Sequence, residues 1–132
     1  MRHVIRQLIS FSILVVGAWA TGQAAAQCVS LTTAGSAYTQ NFDTLSNVAG
    51  STTNSLTLTG WFHTESGGGA RDNEQYAVDT GASNTGDTYS YGAAASTERA
   101  LGGYRSGTLI PTFGACFTNN TGVSITSLAI AY

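Results

Sequence analysis

Residues 79–92 read DTGASNTGDTYSYG, and this stretch decides the fold class. Gly81, Ser83, Asn84 and Gly86 form a cluster of turn formers, and a short run rich in Thr and Tyr follows it, closed by Gly92. Tyr89 and Tyr91 share parity, so along a strand they stand on one face. The same alternation of short β-rich runs with Gly, Asn, Asp and Ser clusters recurs outward in both directions. It predicts strands at 37–42, 56–62, 75–79, 88–92, 100–105, 115–118 and 123–132. Turn clusters at 47–54, 66–73, 81–86 and 119–122 separate them. No amphipathic helix period is present, and the pattern as a whole predicts an all-β domain built as an antiparallel β-sandwich.

In the last run Val123 and Ile125 share one parity while Leu128, Ile130 and Tyr132 share the other, which calls for a bulge or turn near Thr126-Ser127. The run reaches Tyr132 without a turn former. This reads as a sheet truncated at its C-terminus.

The first residues carry a different message. Arg2, His3 and Arg6 precede an apolar run from Leu8 to Ala20, and Ala24-Ala25-Ala26 supplies small residues for cleavage before Gln27. Residues 1–26 therefore read as a secretory signal peptide, with a helical apolar segment, and residues 27–132 as the mature domain. The apolar run is too short for the ~20 residues that a spanning helix needs, so no stable membrane span is expected once the signal is removed. The destination is extracellular space or the cell surface.

Composition narrows the function classes. Residues 27–132 hold three arginines and no lysine against seven acids, a formal charge of −4, so no nucleic-acid contact is expected. The chain carries no G-x-S-x-G, H-E-x-x-H or P-loop motif, and His63 with Glu65, or Asp72 with Glu74, are the only pairings that suggest acid and base roles. Cys28 and Cys116 in an exported chain form a disulfide candidate; two unpaired thiols are the alternative.

Several longer words carry a resemblance. QNFDTL at 40–45, GW at 60–61, SNTGDTYSYG at 83–92, STERALGGYRSG at 96–107 and FTNNTGVSITSL at 117–128 span nearly the whole mature chain. Together they resemble the N-terminal β-sandwich region of large secreted bacterial proteins, some of which carry endonuclease/exonuclease/phosphatase, lamin-tail or surface-anchoring modules downstream. The resemblance implies a jelly-roll-like sandwich acting as an adhesive or carbohydrate-binding module, and it carries over no catalytic residue. It also leaves an alternative: an accessory domain of an extracellular nuclease or phosphatase whose catalytic module lies beyond residue 132.

Candidate sites follow from residue type. Tyr89, Tyr91 and Tyr104, flanked by Arg105, can present aromatic faces and a planar cation to sugar rings of a polysaccharide or other cell-surface component, although core packing explains tyrosines equally well. Asp79, Asn84 and Asp87 offer hard oxygen ligands to calcium; the alternative is a loop in which Asn84 and Asp87 cap their own backbone and Gly81 and Gly86 supply unusual dihedrals. Glu98, Arg99 and Arg105 suggest an ion pair across neighbouring strands. The sum is a non-catalytic secreted binding or structural module.

Overall fold

A computed structural model describes residues 27–132. The proposed signal peptide and its cleavage point lie outside the described residues. The described chain is all-β and contains no helix. Seven strands are present: β1 (Val29–Leu31), β2 (Trp61–Ser66), β3 (Ala77–Asp79), β4 (Asp87–Tyr91), β5 (Ala100–Tyr104), β6 (Ile110–Ala115) and β7 (Phe117–Asn119).

They form three small sheets. β1 pairs with β7 in parallel, β2 pairs with β6 antiparallel, and β4 lies between β3, which is parallel to it, and β5, which is antiparallel. The expectation of a purely antiparallel arrangement is thus corrected, since two of the pairings are parallel. The parallel β3–β4 pair is unusual because only residues 80–86 connect its strands, where a crossover of a dozen or more is typical. Short strands make it feasible. Asp79 is registered with Tyr91, so the chain must travel back four register positions, about 13 Å at ~3.3 Å per residue, well within the reach of the connecting residues.

Other sequence expectations also shift. Residues 37–42 pair with no strand; their aromatic side chains dock instead, Phe42 edge-on to Trp61 at 4.7 Å and Tyr38 edge-on to Phe117 at 5.4 Å. Trp61 Nε1 also donates to the Tyr38 hydroxyl at 3.0 Å. The strand placed at 56–62 begins only at Trp61 and runs on to Ser66. Residues 123–132 form no strand, and Val123, Leu128, Ile130 and Tyr132 are exposed. β6 was not expected, because Pro111 and Gly114 both argue against a strand interior. It forms as the partner of β2 alone, where Pro111 sits near the strand start.

The core is small. Val29, Leu45, Tyr76, Ala77, Tyr89 and Leu109 are its buried apolar residues, and His63, Glu65, Asp87, Thr88, Ser90 and Arg99 are buried with them. Cys28 and Cys116 are joined by a disulfide that ties the start of β1 to the junction of β6 and β7. The β2–β6 ribbon packs against β4 and β5, and this packing is what brings the polar residues of β2 inside.

Candidate functional site

The period-two geometry of β4 sends Asp87, Tyr89 and Tyr91 to one face and Thr88 and Ser90 to the other. In β5 the register places Tyr104 opposite Asp87, Gly102 opposite Tyr89 and Ala100 opposite Tyr91. All three tyrosines named from the sequence therefore share one face of the β3–β4–β5 sheet. Their exposures differ. Tyr89 is only 3% exposed, and its hydroxyl is engaged with Ser83 Oγ at 3.0 Å and the Thr85 carbonyl at 2.9 Å. It is a support rather than a contact surface, with its ring 5.2 Å from that of Tyr91.

Tyr91 is half-buried and Tyr104 is 42% exposed. The Tyr91 ring lies over Gly102, where a built Cβ would stand 2.9 Å from the ring, so a side chain at that position would push the tyrosine away. Beside Tyr91 opens a cleft of about 370 Å³ whose polar lining comes from Ser96, Glu98 and Arg99. Arg105 is exposed just past the end of β5. Burial raises the hydroxyl pKa of Tyr91 above its ordinary value, with the neighbouring Tyr89 adding to the shift, so the ring presents a neutral phenol at physiological pH.

The sequence-based calcium set is not assembled. Asp79 turns its carboxylate onto the backbone of its own loop, accepting from Gly81 N at 2.9 Å and Ser83 N at 3.0 Å. The bond from Ser83 is the main cause of a pKa below the usual carboxylate range. Asn84 is exposed in the same loop. Asp87 lies four register positions away from the Tyr91 end of the sheet, where Asp79 sits, and is fully buried. Among the described residues no group of three or more His, Cys, Asp or Glu side chains is placed to hold a metal ion.

Asp87 belongs to a different cluster, which residue spacing does not disclose. The sheet packing brings it against Glu65 of β2 and Arg71 of the following loop. Arg71 Nη1 stands 3.0 Å from Asp87 Oδ2, yet neither Asp87 oxygen receives a hydrogen bond of good geometry from any N–H donor. Glu65, 6% exposed, accepts from Thr88 N at 2.9 Å and Asn73 N at 3.2 Å. Burial is the largest cause raising the Asp87 carboxyl to about 7, and a hydrogen bond to Glu65 and the charge on Glu65 push the same way. Arg71 pulls in the opposite direction, but its side chain is one-third exposed and water screens it. His63, on the same face of β2 as Glu65, is held below its ordinary pKa chiefly by burial, and its Nε2 has no partner.

Arg99 does not pair with an acid. Its guanidinium is buried and donates to Ser90 Oγ at 2.8 Å, to the Ala93 carbonyl at 3.2 Å, to the Asp79 carbonyl at 3.4 Å and to the Ser90 carbonyl. It clamps the 92–96 turn to β3 and β4, in place of the cross-strand ion pair expected with Glu98. Comparison with protein-family models, curated proteins and solved structures finds no match to this chain.

Proposed function

We propose that the domain is a non-catalytic carbohydrate-binding or adhesive module of an exported protein, a jelly-roll-like β-sandwich whose ligand is a polysaccharide. The observation that carries this reading is the alignment of Tyr91 and Tyr104 on one face of β4 and β5, with the Tyr91 ring seated over Gly102 between them. The alignment covers four register positions, about 13 Å at ~3.3 Å per residue, a span suited to an extended chain rather than a single ring. Aromatic faces give apolar area for sugar rings, and Ser96 and Glu98 in the adjoining cleft supply groups for hydroxyls. Export is supported by the pattern of residues 1–26 and by the Cys28–Cys116 bridge.

Affinity electrophoresis of the disulfide-bonded chain through gels containing neutral and acidic polysaccharides tests the reading. At least one polysaccharide should retard the chain, and Tyr104→Ala should weaken that retardation about five-fold or more, the equivalent of ~1 kcal/mol of aromatic contact. Absence of retardation by every polysaccharide tried, or retardation that Tyr104→Ala and Tyr91→Ala leave unchanged, would dismiss it.

A further inference from the structure

We propose that Glu65 and Asp87 form a proton-operated clasp between the β2–β6 ribbon and the β3–β4–β5 sheet, closed when the pair holds one proton and loosened when it holds none. This goes beyond the carbohydrate reading and does not depend on it. The geometry assigns the two carboxyls different states. Glu65 takes backbone N–H groups from Thr88 and Asn73, the environment of a carboxylate. Asp87 is fully buried, and its one cationic neighbour, the one-third exposed Arg71, stands 3.0 Å from Oδ2 without hydrogen-bond geometry, so burial penalises the carboxylate more than Arg71 compensates it. A proton on Asp87 donated to Glu65 satisfies both, and it bonds β4 to β2 through their side chains as well as through the Thr88 amide.

Charge arithmetic points the same way. The titratable and charged groups around the pair are His63 on β2, beside which Glu74 lies, Arg71 on the loop after β2, Tyr89 and Tyr91 on β4, and Tyr104 opposite Asp87 on β5; Asp79 sits at the far end of the sheet. Arg71 compensates one negative charge of the pair. With one proton, Glu65, Asp87 and Arg71 together are neutral; without it, one negative charge is left uncompensated in a site shielded from water. Burial raises the hydroxyls of Tyr89 and Tyr91 above their ordinary value, which keeps both neutral, and it disfavours the charged form of His63.

The sign follows from linkage. The Asp87 carboxyl titrates at about 7 in the fold against 3.8 in the unfolded chain, so its contribution is fully present below 3.8 and is lost as pH rises to about 7. His63 works against this trend, since its lowered pKa makes the fold less stable wherever the unfolded imidazole is charged, below about 6.5. A difference measurement cancels His63. Urea unfolding of the wild-type chain and of Asp87→Asn, which mimics the neutral acid, should be compared from pH 4.5 to 8.5. The unfolding constant of the wild type should rise relative to that of Asp87→Asn by up to ~10-fold per pH unit toward neutrality and level off above it. Parallel pH curves for the two chains would overturn the clasp. A second measurement serves if Asp87→Asn does not fold: ¹³C NMR of the wild-type Asp87 carboxyl should show a midpoint within about one unit of 7, and a midpoint below 5 would equally overturn it.

Discussion

Replacing both Cys28 and Cys116 by serine should remove a large part of this domain's stability. The bridge links residues 88 apart in sequence, and the chain-entropy relation for a loop of that size gives about 4.6 kcal/mol at 25 °C. A domain of this size has ~5–15 kcal/mol in total, so the loss is roughly 30% of the stability or more. The structure says where the loss appears first. Cys116 donates its backbone N–H to the Gly60 carbonyl and accepts from Val29, both at 2.8 Å, and Asn120 N reaches the Leu31 carbonyl at 2.8 Å. The bonds from Val29 and Asn120 belong to a two-stranded parallel sheet of three residues a side, too little to persist alone, and the one from Cys116 to Gly60 extends the β2–β6 ladder beside it. Urea unfolding of the oxidised chain and the double serine variant, followed by Trp61 fluorescence, measures the difference. The serine variant should also show a larger dependence on urea, because the uncrosslinked unfolded chain exposes more surface. Hydrogen exchange should find the amides of Val29 and Asn120 losing protection before that of Tyr89. A stability difference under about 1 kcal/mol, with unchanged protection at Val29, would refute the reasoning.

Two backbone positions give further tests. Gly60 has φ +79°, and a Cβ there would stand 2.5 Å from Val29 Cγ2 and 2.7 Å from Val29 N; Gly60→Ala should cost at least ~2 kcal/mol, read from the urea midpoint, and a change within 0.5 kcal/mol would count against this packing of β1. Ala95 carries φ +57° at the third position of a turn closed by Ser96 N to the Ala93 carbonyl at 3.0 Å, where glycine is the favoured residue. Ala95→Gly should raise the melting temperature by a few degrees, equivalent to about 0.5–1 kcal/mol, and a lowered one would show that the turn is not strained.

The strands that the sequence announces most clearly are those bounded by turn formers on both sides. β3, β4 and β5 fall within two residues of the expected 75–79, 88–92 and 100–105. A run of aromatic or β-branched residues without such bounds does not form a strand by itself. Residues 37–42 alternate like a strand, but their aromatic side chains serve docking against Trp61 and Phe117, with Phe42 at φ +61°. β6 was hidden by Pro111 and Gly114, whose cost is overridden by pairing with the whole of β2. In the candidate site, the shared face of Tyr89 and Tyr91 is a local property and was legible. The burial of Tyr89 was not, because it depends on Ser83 and Thr85 folding back over it.

Local chemistry thus determined that this chain forms short strands between glycine- and asparagine-rich turns and that β4 alternates its faces, whereas the loop cap expected from Asn84 and Asp87 falls to Asp79. These outcomes depend on φ/ψ preferences and hydrogen bonds within a few residues, so the sequence alone contains them. Tertiary structure decided that β3 and β4 run parallel, that Tyr104 stands across from Asp87, and that an aspartate with the look of an exposed ion ligand lies buried beside Glu65. Each of these depends on strand register and on the packing of the β2–β6 ribbon against β4 and β5. The pairings that set it join residues from 9 to 54 positions apart, and no pattern within a single strand or turn encodes them.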